Sequence, residues 1–425
     1  MLTEEKNRTL TQVGPGTPMG ELLRRYWMPV AGVSEFDDKA VKPVRLLGED
    51  LVLYRDKSNH FGLIERHCPH RRADLSFGMV EKEGIRCTYH GWQFDAQGAC
   101  IHLPFEEASM PGRDTRSSIR AKTYPVQTKA GLVWAYMGPL PAPLLPDWEP
   151  FAWKNGFTQI VISEVPCNWF QCQENSIDPV HFEWMHENWG ARLKDDDAAY
   201  GPTHLKLDFS EFEYGLVYKR IKDNTDASDP LWTIGRVCLW PHGFFLGEHF
   251  EWRIPIDDGH TLSITWKFTR VPRESEPYEQ KSIPTWHGPI KNPDGTWINT
   301  HVINQDFLAW VGQGQIADRT KENLSASDRG IALLRKRMFE EIDNVQAGKD
   351  PKGLIRDPAV NVRIELPIAD RRGVIEGYTR AEIMANPRHR MHFTSFIFQA
   401  GQPDHVQEAF SAAMGLEVQE FSGLS

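Results

Sequence analysis

The chain has 425 residues, more than one ordinary core sustains, so two or three domains are expected. A formal net charge of −10 argues against nucleic acid as the main partner, because a phosphate backbone recruits basic surfaces. No apolar run approaches the ~18–20 residues of a membrane span, and Met1-Leu-Thr-Glu-Glu-Lys is not the basic-then-apolar start of a signal peptide, so a cytoplasmic location is expected.

Residues 1–27 read as a helical segment. Gly14-Pro-Gly makes a turn, Thr17 suits the N-cap, Pro18 suits the first helical position, and Leu22, Leu23 and Tyr26 follow at helical spacing. Residues 28–145 read as a small all-β domain. Val44-Arg-Leu-Leu, Leu51-Val-Leu-Tyr, Phe61-Gly-Leu-Ile and Leu132-Val-Trp-Ala-Tyr-Met are apolar, β-prone and bounded by turn formers. The proline-rich run that starts at Gly138 closes this domain.

Residues 146–425 read as a larger domain. A helix is expected over 168–189, ending at Gly190. Strands return over 203–270, for example Gly215-Leu-Val-Tyr, Val237-Cys-Leu-Trp and Leu262-Ser-Ile-Thr-Trp-Lys-Phe. A helix is expected over 300–347, with Ser325 and Asp328 as a capping box and Ile331, Leu334, Met338 and Ile342 along one face. The expected fold class is therefore α+β: an all-β N-terminal domain, then an antiparallel sheet with flanking helices.

Two clusters of metal-ligating residues stand out. The first is Cys68-Pro-His70, sixteen residues, then Cys87-Thr-Tyr-His90. Each half offers one thiolate and one imidazole on a tight loop. That is the ligand set of a Rieske [2Fe–2S] centre, in which two Cys bind one iron and two His the other. Gly91 lets the second loop turn closely, Trp92 is placed to cover the cluster, and His67 reads as structural. Zinc is the alternative, but its sites usually pair Cys-x2–4-Cys with His-x3–5-His. The other four cysteines, 100, 167, 172 and 238, read as buried thiols.

The second cluster is Glu174-Asn-Ser-Ile-Asp178-Pro-Val-His181-Phe-Glu-Trp-Met-His186. Histidines five apart share a helix face only if the helix is distorted. Asp178 is placed to take the His181 ring N–H. A mononuclear Fe(II) held by two His and one carboxylate keeps positions open for O2. Asp306 is the preferred third ligand, because it lies in an apolar helical segment where an unpaired carboxylate is costly to bury. Asp318, flanked by Arg319 and Lys321, reads instead as a capping or salt-bridge residue.

Together the motifs resemble those of the ring-hydroxylating Rieske oxygenase α subunits, over most of the chain. Gly14-Pro-Gly-Thr-Pro-Met-Gly-Glu-Leu and the segment from Gln313 to Gly330 are similar to the phthalate dioxygenase branch, which also contains aromatic O-demethylases. The resemblance implies a terminal oxygenase that hydroxylates or O-demethylates an aromatic acid. It implies a homotrimer or a dimer of trimers, with electrons crossing between subunits through Asp178. It also implies a carboxylate-binding arginine, for which Arg220, Arg236 and Arg253 are the candidates, with Trp240, Phe244, Phe245 and Phe250 as candidate pocket walls. No dinucleotide fingerprint and no plant-type four-Cys spacing occurs, so NAD(P)H is expected to act only through a separate reductase, or a ferredoxin with its reductase. A Rieske electron carrier and a zinc-stabilised binding protein remain as alternatives. The large second region and its His-His-Asp set weigh against the first, and the ligand spacing against the second.

Overall fold

The computed structural model describes residues 1–188, 191, 201–369, 377–385 and 401–415. The fold is α+β with antiparallel sheets, as expected. Two short helices, Glu4–Thr11 and Pro18–Leu23, open the chain. The second starts as its sequence predicts, with the Thr17 hydroxyl accepting from the Gly20 N–H and Pro18 in the first turn.

Three small sheets follow. Strands Trp27–Gly32, Leu132–Tyr136 and Val126–Lys129 form one. Val41–Leu46, Glu49–Arg55, Phe61–Glu65 and Thr123–Tyr124 form another. Met79–Val80, Ile85–Arg86, Gln93–Phe94 and Cys100–His102 form the third. The larger region is built on an eight-stranded sheet. Its spatial order is His204–Phe212, Gly215–Lys222, Arg236–Leu239, Gly243–Phe245, His249–Asp257, His260–Arg270, Gly156–Val165 and Thr285–His287, with only the last pairing parallel.

Side chains alternate across this sheet, which gives it two different faces. Phe250, Trp252 and Ile254 point one way and meet Trp134 of the N-terminal region, edge to face at 5.2 Å. One apolar core therefore runs from the first small sheet into the large one. His249, Glu251 and Arg253 point the other way, toward the helices Trp169–Asn175 and Val302–Gly312.

Two helix expectations need correction. The segment expected as one helix over 168–189 breaks after Asn175 and resumes as a π-helix over Phe182–Asn188. Pro179 disfavours the α conformation at Asp178, and the Asp178 carboxylate instead accepts the Val180 N–H at 2.8 Å in a local turn. The segment expected as one helix over 300–347 is two, Val302–Gly312 and Arg329–Gln346. Gly314 at φ +90° ends the first. The Ser325–Asp328 capping box forms and launches the second, which buries Leu334, Met338 and Ile342. Among the described residues no helix is long and apolar enough to cross a membrane.

Candidate metal centres and substrate face

The two loops of the first motif repeat one backbone pattern. The Cys68 N–H donates to the Ala73 carbonyl at 2.8 Å, and the Cys87 N–H to the Trp92 carbonyl at 2.8 Å. The Cys68 carbonyl accepts from Arg72 and the Cys87 carbonyl from Gly91, and both acceptances require a left-handed residue, Arg72 at φ +60° and Gly91 at φ +76°. A non-glycine residue held there costs roughly 1–2 kcal/mol, so the loop shape is maintained against local strain.

The loops bury Cys68 and Cys87 and leave the imidazoles outside, with the His70 and His90 rings 4.5 Å apart. Trp92 stacks on His70 at 4.1 Å, 7° from parallel. Burial, with the neighbouring Cys87, pushes the Cys68 thiol up to about 12. Such a pair of inward thiols and outward imidazoles suits a cluster whose two irons take different ligands. It does not suit one ion: among the described residues, the only three-residue group with ligand atoms mutually within 4.8 Å is His181, His186 and Asp306.

That second group is assembled by the helix break. In an α-helix, positions five apart are rotated by about 140°. The wider π turn brings His181 and His186 toward the same side. His181 Nε2 lies 3.7 Å from Asp306 Oδ1, and His186 Nε2 lies 3.4 Å from the same oxygen. Three donors on one metal face, each about 2.1 Å from it, stand about 3.0–3.5 Å apart, so the spacing is close to that of a bound ion.

Neighbours fix the ring orientations. Gln305 donates to the Asn299 carbonyl at 3.1 Å, which aims its own carbonyl oxygen at His186 Nδ1, 2.9 Å away. Nδ1 then carries the proton, and the buried Nε2, which has no hydrogen-bond partner, keeps its lone pair for a metal. Asn175 donates to Asp306 Oδ1 at 3.1 Å. Asp178 Oδ2 sits 3.6 Å from His181 Nδ1, at ion-pair range. Burial would raise the Asp178 carboxyl, but His181 and the Val180 and His181 N–H groups outweigh it and hold it below its ordinary value. Glu174, at the start of the motif, receives Arg319 at 2.6 Å and Arg335 at 2.6 Å, which ties the first helix to the segments on either side.

Comparison with known proteins agrees with this geometry. Residues 26–125 match the Rieske [2Fe-2S] domain family, and residues 289–366 match a family described as LigXa C-terminal domain like. The chain is 59% identical to the 5,5'-dehydrodivanillate O-demethylase oxygenase subunit of Sphingobium sp. (strain NBRC 103272 / SYK-6), over 97% of both chains. The chain belongs to the Rieske non-haem iron oxygenases. It is 28% identical to the phthalate 4,5-dioxygenase oxygenase subunit of Pseudomonas putida, over 83% of this chain and 89% of that one. The oxygenase in a reduced carbazole 1,9a-dioxygenase complex with ferredoxin shares the fold, with a TM-score of 0.53 at 21% identity over 79% of this chain and 93% of that one. As a member of this family the oxygenase takes a Rieske cluster and a mononuclear iron.

The remaining residues of this oxygenase divide by sheet face. Asp318 is exposed and pairs with Lys321 at 2.9 Å, as its flanks suggest, rather than reaching the triad. Phe245 and Phe250 pack against each other in the apolar core, and Trp240 donates to the Tyr26 hydroxyl at 2.8 Å, so these three pack away from the triad. Phe244, opposite Glu251 in register, is on the triad's side of the sheet and stacks near Tyr218.

The arginines separate as well. Arg253 is engaged by Glu251 and lies over the Trp310 ring at 4.6 Å. Arg220 and Arg236 lie over the ring of Phe182, at 5.0 and 4.9 Å. That ring centre is 4.4 Å from His181's and 5.3 Å from His186's. Among the described residues neither arginine has a carboxylate within ion-pair distance, and Arg220 Nε and Arg236 Nε and Nη1 are buried without partners. Burial and the adjacent Arg236 lower Arg220 to about 10. Sequence reasoning named both arginines but not Phe182, Gln305 or Glu183. Gln305 adjoins Asp306, and that adjacency is the only trace of its role in the sequence.

Proposed function

We propose that this chain is the terminal oxygenase of a multicomponent system that O-demethylates a methoxylated aromatic acid. The observation that carries the reading is a 2-His-1-carboxylate set with two arginines that have no carboxylate partner among the described residues, over the phenyl ring that touches both histidines. A close relative bearing an O-demethylase name supports the choice of demethylation over ring dihydroxylation.

Cys68, Cys87, His70 and His90 would hold the cluster, and His181, His186 and Asp306 the iron. The iron, when loaded, supplies O2 activation with open coordination positions. Arg220 and Arg236 bind the acid and orient the methoxy group toward the triad, and burial behind Phe182 and Trp310 excludes water. Overall, Ar–OCH3 + O2 + 2 electrons + 2 protons gives Ar–OH, formaldehyde and water.

The electrons come from NAD(P)H by way of a separate reductase, with or without a ferredoxin, in the cytoplasm. Asp178 is 27% exposed and lines a cavity of about 450 Å³ with Met185, Gln313, Lys321, Glu322 and Leu324. This groove suits the His70–His90 tip of a neighbouring copy, so the working unit is a homotrimer or a dimer of trimers. Asp178 then bridges a neighbour's cluster histidine to His181.

The test is turnover of 5,5′-dehydrodivanillate, vanillate and unmethoxylated benzoates with a reductase, following O2 uptake and formaldehyde together. One formaldehyde per O2 with a methoxylated acid is expected. A cis-diol product without formaldehyde would overturn demethylation.

A further inference from the structure

We infer that His204 is a positioning residue for substrate: it fixes the Arg220 guanidinium so that the Nε side is free for the substrate carboxylate. The inference rests on the reading of Arg220 as an acid-binding residue. His204 is the first residue of the outermost strand of the large sheet, and its side chain is only 5% exposed. It touches two groups whose chemistry is unambiguous. Its Nδ1 lies 2.8 Å from Glu183 Oε2, an acceptor, and its Nε2 lies 3.3 Å from Arg220 Nη1, a donor.

Only one state of the ring satisfies both neighbours. The proton is on Nδ1 and points at Glu183, and the lone pair is on Nε2 and accepts from Arg220. The other neutral tautomer, or imidazolium, would set an N–H against a guanidinium N–H. Glu183 secures the arrangement twice, because the same Oε2 also accepts the His204 backbone N–H at 2.8 Å. Burial and Arg220 lower the imidazole from its ordinary value, which keeps it neutral.

The consequence for Arg220 is orientation. Nη1 is taken by His204 Nε2, with the Pro179 carbonyl at 3.5 Å, while Nε has no partner among the described residues and the cation stays over Phe182. A long arginine otherwise loses side-chain entropy when it binds a ligand. Here the chain Glu183–His204–Arg220 orders it beforehand. Glu183 is two residues from His181, so the proposed substrate-binding cation is referenced to the π-helix that carries His186 and directly follows His181.

The test uses 5,5′-dehydrodivanillate and its dimethyl ester as probes, with the loaded enzyme and reductase. His204→Asn keeps a donor near the Nδ1 position and removes the Nε2 acceptor. His204→Gln keeps an acceptor near Nε2. The expected result is a KM for the acid raised about tenfold in His204→Asn, with kcat within threefold, the ester unaffected, and near wild-type behaviour in His204→Gln. An equal effect on acid and ester, or His204→Gln as impaired as His204→Asn, would overturn the inference. If His204→Asn loses its iron, His204→Gln decides: a wild-type KM supports the role, and a raised KM with full iron sinks it. Arg220→Met separates the two readings. If it leaves the acid KM unchanged, the acid-binding reading itself fails; if it raises that KM while His204→Asn does not, only the role of His204 fails.

Discussion

Replacing Glu174 by Gln removes the central anion of a buried network. Arg319 is 2% exposed and reaches Glu174 through Nε and Nη2, the latter at 2.6 Å. Its other partners are neutral, Asn7 Oδ1 at 3.1 Å and the Ala317 carbonyl at 3.4 Å. Arg335 keeps a second carboxylate, Glu322, at 2.8 Å. The variant therefore leaves one buried positive charge, that of Arg319, without a counter-ion. Removing one partner of a buried pair costs about 3–5 kcal/mol. The lower end applies here, because Gln retains an acceptor and Arg335 retains Glu322, so about 3 kcal/mol is expected. Urea unfolding of the loaded enzyme, read at the midpoint, measures it. The double variant Glu174→Met with Arg319→Met removes both charges and replaces them with apolar volume, and at least half of the loss should return. A loss under ~1 kcal/mol in the single variant, or a double variant as poor as the sum of its parts, would refute the assignment of the network as a charge-balanced tie.

Asp306→Ala removes the oxygen that both Nε2 atoms face, so mononuclear iron should fall to near zero by metal analysis while the reduced cluster keeps its spin-resonance signal. Asp178→Asn should keep both metals and lower coupled turnover by about 10–100-fold, read as product per electron supplied. Glu251 is buried, which would raise it, but Arg253 and His249 hold it down to about 2 from 4.5. Its contribution is thus complete above pH 4.5 and lost as pH falls toward 2, so Glu251→Gln should flatten the acid limb of the stability curve by about 3 kcal/mol. Arg236→Met should raise the acid KM about tenfold or more and leave thermal stability unchanged or higher, because among the described residues this cation has no carboxylate partner.

The candidate Cys–His loops and the His181–His186 pair were legible because each is a short motif of residue types rare together, whereas Asp306 lies far along the chain and was reached only through the cost of burying a carboxylate. The strand positions were legible for the same kind of reason: the apolar run Leu51–Tyr54 and the alternating run Leu262–Phe268 fall inside Glu49–Arg55 and His260–Arg270. The His181–His186 spacing looked wrong for a helix, and that mismatch recorded the π turn. What stayed hidden depends on long-range pairing. Which of Trp240, Phe244, Phe245 and Phe250 faces the triad is a question of register, and a one-residue slip reverses the answer. The role of His204 depends on contacts with Glu183 and Arg220, 21 and 16 residues away. The break between the helices ending at Gly312 and starting at Arg329 was masked by helix-compatible composition on both sides.

If the substrate is an acid, as proposed, the large sheet offers a physical reason for its charge. A sheet covered on both faces ordinarily buries apolar residues on both. Here the face toward the N-terminal region does so, whereas the other mixes buried apolar residues such as Leu216, Cys238 and Phe244 with charged ones. The other face carries Arg220, Arg236, His249, Glu251 and Arg253 at alternating positions. Each buried charge must be offset. His249, Glu251 and Arg253 offset one another, and Glu251 is the shared anion. Among the described residues Arg220 and Arg236 have no carboxylate partner beside the iron ligands, and their contacts are a phenyl ring, a neutral imidazole and the Pro179 carbonyl. Packing alone would favour apolar residues at both sites, so their presence is a local cost that stability does not explain. An anion that arrives only with substrate removes that cost, and binding energy is then released at the place where orientation toward the triad is decided.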